Sequence, residues 1–313
     1  MTDFKDVLTR DEITVYTLRA LYASHGYSLY KMSKFEEYDL YAKNKDFLVS
    51  DNVITFTDTD GRLLALKPDV TLSIIKNNKD NPNGLIKAQY NENVYRISGS
   101  THSYKELMQV GLECIGNVGL VELCETILLA KKSLDAICED NILALSELDL
   151  ISALLEYASL SESAEKKVLS ALSGKNKAAV YNTAISDGVA ADKAELIASL
   201  CEVMGGAEAV LPSLEKFRVS DKAGAAIDSL KSVTDRLSSL GLTGIIVDFS
   251  LVGDMKYYNG IAMKGFINTI PESVISGGQY DRLMAKMGRR SKAVGFAVYL
   301  DALDRLPERA EGR

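Results

Sequence analysis

From Ile13 the apolar side chains recur at Tyr16, Ala20 and Leu21, the three-to-four spacing of a helix, up to Gly26. Thr9 and Glu12 just upstream have the spacing of a capping box, so the pattern predicts a helix of about four turns. Residues 53–66, VITFTDTDGRLLAL, set two apolar runs around Asp60–Gly61, a hairpin signal. Pro68 follows, and a helix is predicted to begin near Asp69. Residues 95–116, YRISGSTHSYKELMQVGLECIG, read as two short strands around a loop of polar or small residues, with Arg96 at its mouth. Strand alternation sends Val110, Leu112 and Cys114 to one face and Gln109, Gly111 and Glu113 to the other. The first face can pack on helices. The second offers an amide, a gap and a carboxylate, as a pocket floor would, although a half-solvated antiparallel sheet shows the same alternation. Residues 121–137, VELCETILLAKKSLDAI, are strongly periodic and predict an amphipathic helix.

From 150 to 240 the texture changes to Ala, Ser, Leu, Lys and Glu at helical spacing, punctuated by Gly174, Gly188, Gly205–Gly206 and Pro212, with almost no strand signal. Strand character returns at 244–250, at 256–266 and in ESVIS before Gly277, where Gly277–Gly278 reads as a turn or strand end. Strands on both sides of a helical block imply one antiparallel sheet built from both ends of the chain. The expected class is α+β, with 1–149 and 241–313 as the core and 150–240 as a helical insertion. No short-period repeat suggests a solenoid.

The length, 313 residues, fits two such units. No apolar run approaches the roughly 20 residues of a membrane helix. The start, MTDFKDVLTRDE, lacks a secretory pattern, and Cys114, Cys124, Cys138 and Cys201 form no CxxC pair. A cytoplasmic location is expected, with neither disulfides nor a zinc site. His25 and His102 are the only histidines and read as surface or loop residues, which leaves little for metal or triad chemistry. A net charge of −7 argues against tight nonspecific nucleic-acid binding.

Three stretches can meet on one sheet face: LKPDVT with Asp69 and Thr71, QVGLE with Gln109 and Glu113, and KYYNGIAM with Tyr257 and Tyr258. Carboxylates can hold an ammonium by charge-assisted bonds while tyrosines wall the side chain, so the set suits a small zwitterion or polar amino acid. No serine or cysteine has an evident base, and no phosphate loop is present. No catalytic residue and no cofactor is expected.

These stretches carry a resemblance to class II histidyl-tRNA synthetases and their paralogues over most of the chain outside the insertion. GRLLALKPDVT resembles the family's Gly-Arg-x-x-x-Leu-Arg-Pro-Glu-x-Thr. VYR followed by KELMQVGLECIG resembles motif 2, YYNGIAMKGF resembles Tyr-Tyr-Thr-Gly-x-x-Phe-Glu, and GGQYDRLMAKMG with AVGFAVYLDAL resembles the motif 3 region. The resemblance implies a six-stranded antiparallel sheet flanked by helices and a histidine pocket formed by Asp69, Thr71, Arg96, Gln109, Glu113, Tyr257 and Tyr258.

The departures point away from catalysis. Charge grows on the α-phosphate as the amino acid attacks ATP, and cationic partners placed to meet that charge commonly supply much of the rate enhancement. Arg96 keeps the motif 2 arginine, but Ser98 replaces the glutamate two residues on, and Lys105 the loop arginine. Gly253 and Ala302 stand at two other arginine positions, Gln279 follows Gly277–Gly278 in place of an arginine, and Ser33 replaces the motif 1 proline. The sequence ends at Arg313, soon after motif 3, so no anticodon-binding module and no tRNA partner are expected. Within the family this combination resembles the non-catalytic branch that regulates short-form ATP phosphoribosyltransferase. That implies a homodimer core in a hetero-octamer with the catalytic subunit, histidine as effector, and a role in histidine biosynthesis. A diverged enzyme that activates an amino acid with ATP, or a free-standing histidine sensor, would share the pocket.

Overall fold

The computed structural model describes residues 7–44, 48, 53–97, 103–252, 255 and 257–306. The capping box forms: Thr9 N–H donates to Glu12, Glu12 N–H donates to Thr9 Oγ1, and α1 (Arg10–Ser24) starts there. It buries Val15, Leu18 and Tyr22, whereas Ile13 and Tyr16 of the predicted stripe face solvent. After β1 (Ser28–Leu29), β2 (Phe35–Glu37) and α2 (Tyr38–Ala42) comes the predicted hairpin, β3 (Thr55–Thr57) and β4 (Leu63–Leu66). Strands β2, β4 and β3 make a separate antiparallel sheet. Helix α3 (Thr71–Asn77) begins just past Asp69, whose Oδ1 accepts the Leu72 N–H at 2.8 Å and satisfies a donor of the first turn.

The strands of the 95–116 hairpin are not short. β5 (Leu85–Ile97) and β6 (Tyr104–Gly116) pair antiparallel along 13 residues each. The first half of β5 is masked in sequence by polar residues with tertiary partners: Gln89 is buried and donates to the Tyr27 carbonyl at 2.8 Å. Next come α4 (Leu120–Ile137) and β7 (Asn141–Glu147), a strand that the sequence pattern does not announce because it runs into α5 (Leu148–Ala158) without a break. The helical stretch continues through α6 (Glu162–Ser173), α7 (Lys177–Ser186) and α8 (Ala191–Ala198). A two-residue strand, β8 (Met204–Gly205), interrupts it before α9 (Ala207–Val210) and α10 (Asp221–Ser239). The chain then forms β9 (Ile245–Asp248), β10 (Asn259–Ile267), β11 (Ile275–Gln279), α11 (Asp281–Lys286) and β12 (Lys292–Tyr299). Tyr257 and Tyr258 therefore precede their strand instead of lying in it. Gly277 and Gly278 lie within β11, not at a turn, because Phe296 and the Gly295 carbonyl of β12 press against Gly277 and leave no room for a Cβ.

Among the described residues the main sheet has nine strands in the order β1-β5-β6-β12-β11-β10-β7-β9-β8. The run β5-β6-β12-β11-β10-β7 is antiparallel throughout, as the resemblance implies. The sheet as a whole is mixed, since β1 pairs parallel with β5 and β9 parallel with β7. Helices α1, α4, α5 and α10 pack on one face. One hydrophobic cluster joins Leu112, Phe296 and Leu134 to Leu172, Phe217 and Leu230, so the helical stretch shares its core with the sheet. The opposite face of β6 and its neighbours is left for the site.

Candidate functional site

Glu113 projects from β6 to the face away from α4 and is 2% exposed. Its Oε1 accepts from Thr71 Oγ1 at 2.6 Å and its Oε2 from Tyr280 Oη at 2.6 Å. Gly295 on β12 lies directly opposite, and any Cβ there would collide with Glu113 Oε2. Burial pushes the Glu113 carboxyl up to about 8, the two hydroxyl donors oppose that rise, and Asp69 adds to it. Burial also raises Asp69, against the Leu72 N–H and the nearby Arg96 guanidinium. Burial makes both carboxyls costly to ionise, and an ammonium placed between them would favour their ionised forms.

All seven residues predicted from sequence line one cavity of about 210 Å³: Asp69, Thr71, Arg96, Gln109, Glu113, Tyr257 and Tyr258. Gln109 shares Glu113's face of β6, and Arg96, near the end of β5, donates through Nε to the Pro68 carbonyl at 3.3 Å. The rings of Tyr257 and Tyr258 meet edge-on at 4.7 Å, and Tyr280 stands 6.0 Å from Tyr257. Burial raises the phenols of Tyr90, Tyr257 and Tyr280 well above their ordinary value, so they serve as neutral hydrogen-bonding walls. Tyr280, Tyr90 and Lys264 line the cavity but are not among the predicted residues. The tyrosine of GGQYD is a usable signal for the first; Tyr90 and Lys264 enter only through the pairing of β5 and β10 with their neighbours.

The departures from the synthetase pattern separate in space. Gln279 does not border this cavity: alternation along β11 turns it to the helix-covered face, so its replacement of an arginine does not bear on this pocket. Ala302 lies in a 3₁₀ turn after β12, partly buried against the main core. Lys105 pairs with Arg96 across the hairpin and is exposed. Ser33 accepts the Phe35 N–H at 3.1 Å. Ser98, His102 and Gly253 lie outside the described residues. Among the described residues no group of His, Cys, Asp or Glu is arranged for a metal ion, and no helix is long and apolar enough to cross a membrane.

A family model described as histidyl-tRNA synthetase matches residues 6–303. The chain belongs to the histidyl-tRNA synthetase family. Within that family it is 27% identical over 295 residues to a protein of Bacillus cereus (strain AH187) named ATP phosphoribosyltransferase regulatory subunit, covering 91% of this chain and 69% of the relative. The fold is similar to the crystal structure of an ATP phosphoribosyltransferase regulatory subunit/histidyl-tRNA synthetase from Bacillus halodurans, with a TM-score of 0.82 at 23% identity over 98% of this chain and 82% of that one. It is also similar to a chain of the ATP phosphoribosyl transferase (HisG:HisZ) complex from Thermotoga maritima, with a TM-score of 0.72 at 19% identity over 93% and 97% of the two chains. The six antiparallel strands, with Glu113 on β6, are thus this family's sheet.

Proposed function

We propose that the chain is the regulatory subunit of a short-form ATP phosphoribosyltransferase and performs no aminoacylation chemistry itself. In this reading it binds the catalytic subunit in a hetero-octamer with a homodimer of the synthetase-like core, acts in the cytoplasm in the first step of histidine biosynthesis, and senses histidine. Residues 1–149 and 241–313 form that core, with 150–240 inserted as a helical block. The observation that carries the reading is the grouping of Glu113, Thr71 and Asp69 in one cavity, taken with Ala302 at a position where the resembled synthetase motif has an arginine. The names of the curated relatives point the same way. Histidine would place its ammonium between Asp69 and Glu113, with Thr71 and Gln109 as neutral neighbours, Tyr257 and Tyr258 along the imidazole and Arg96 at the rim.

Co-expression with a short catalytic subunit, followed by a phosphoribosyl-transfer assay with and without histidine, tests the proposal. Activity that depends on this chain and falls when histidine is added is the expected outcome. Histidine-dependent exchange of pyrophosphate into ATP by this chain alone would restore the enzyme reading, which Arg96 and Glu113 favour. Histidine binding with no association to the catalytic subunit would leave a free-standing sensor.

A further inference from the structure

A second cavity, of about 570 Å³ and open to solvent, lies on the helix-covered side of the sheet, where α5 and α10 meet the ends of β10, β11 and β12. Glu147, the last residue of β7, lines it and is 1% exposed. Its Oε1 accepts the Asp149 N–H at 3.2 Å. Its Oε2 makes no hydrogen bond among the described residues, although the Ser229 hydroxyl of α10 is near enough to oppose the rise of the carboxyl. A buried carboxyl with an orphan oxygen is costly unless something arrives to satisfy it. The wall around it is built. At Gly260, with φ of +56°, the register between β10 and β11 slips, and Gln279 Oε1 accepts the Ile261 N–H at 2.9 Å in the space that a Cβ would take. Asn259 Oδ1 accepts the Arg282 N–H at 3.2 Å.

We propose that this cavity binds a small organic cation carrying a primary ammonium group, held by the Glu147 carboxylate at the seam between the helical block and the sheet. The charge balance selects the sign. Arg282 pairs with Asp149 at 3.0 Å and Lys222 with Glu156 at 2.7 Å, and the charge of Lys292 acts on the Asp281 carboxyl. The lining carries four carboxyls, Glu147, Asp149, Glu156 and Asp281, against three cations, Lys222, Arg282 and Lys292, two of which are already held in ion pairs, so an added cation improves the balance and an anion worsens it. An ammonium also donates several N–H bonds, and the Asn259, Gln279, Ser152 and Ser229 side chains around the cavity carry oxygens able to accept them. Burial, with repulsion from Asp149, pushes the empty Glu147 carboxyl up to about 8, so binding near neutral pH releases a proton.

The test uses the whole chain with n-butylammonium as probe and tetraethylammonium, which has the same charge but no N–H donor, as control. Hydrogen exchange should slow in 148–156 and 221–229 with butylammonium and not with the control. Glu147→Gln should weaken butylammonium binding by about 10-fold or more, and Arg282→Gln, which frees Asp149, should strengthen it. Equal effects of the two cations, protection confined to the segments around Asp69 and Glu113, or unchanged affinity in a folded Glu147→Gln chain would each overturn the proposal. Should Glu147→Gln not fold, exchange in the unaltered chain and the Arg282→Gln affinity decide it, and an Arg282→Gln chain that binds no more tightly overturns it.

Discussion

Glu113 has two hydroxyl donors and, among the described residues, no ion-pair partner; Arg96, the cation that could have neutralised it, bonds instead to the Pro68 carbonyl. Folding moves the carboxyl from an ordinary 4.5 to about 8, so between those values the folded chain holds a proton that the unfolded chain has lost. This contribution to stability is fully present below about pH 4.5 and is lost as pH rises through about 8. Histidine, by ionising Glu113, should bind more tightly as pH rises toward that value. Glu113→Gln keeps the shape and makes a charge-assisted bond neutral, a change of roughly 1.5 to 3 kcal/mol, so calorimetric affinity for histidine should fall about 10-fold or more and melting should vary less with pH. Glu147 shares the upward shift and keeps part of the pH dependence in the variant. Unchanged affinity with intact melting would place histidine elsewhere, and collapse of the melting transition would make Glu113 an element of folding. Alternation in β6 makes Glu113 and Gln109 legible from sequence. The GGQYD motif marks Tyr280, but its bond to Glu113 is not legible, because the hydroxyl reaches the carboxylate across 167 residues of chain.

Among the elements, the helices are the most readable, since a cap and a stripe are local. Thr9 with Glu12 and the periodic 121–137 stretch each became a helix at the expected place. Strands whose polar residues are satisfied by distant partners, such as the first half of β5, carry no local mark. The close seam between β6 and β12 is also a product of pairing: Gly295 leaves Glu113 its room. Gly295→Ala should push the Glu113 carboxylate off Thr71 and Tyr280. Overpacking of this kind costs about 1–3 kcal/mol, so a lower melting temperature with lost histidine binding is expected, while a variant that binds normally would show that the carboxylate can move without consequence.

For the whole molecule, the small sheet presents Phe35 and Phe56, ring centroids 5.3 Å apart and 49% and 37% exposed, on the same face as Leu64 and Leu66. An apolar face of this kind marks an association surface, and closed twofold assembly is the common way to cover one. The isolated chain should therefore be a dimer by light scattering, and Phe56→Glu should shift it to monomer without altering its circular dichroism. A monomer at tens of micromolar in the unaltered chain would count against this surface and against the homodimer core.

The order of motifs determined the family, the sheet built from both ends of the chain and the seven residues that gather in one cavity, because motif spacing and strand alternation are properties of neighbours along the chain. The tertiary structure decided what those residues are. It put Gln279 across the sheet from the pocket, pushed the Glu113 and Glu147 carboxyls up by burying them, and left Glu147 Oε2 without a hydrogen bond among the described residues. Protonation and satisfaction depend on how many groups from remote segments exclude water around a side chain, and that number exists only once the strands have paired and the helices have closed over them.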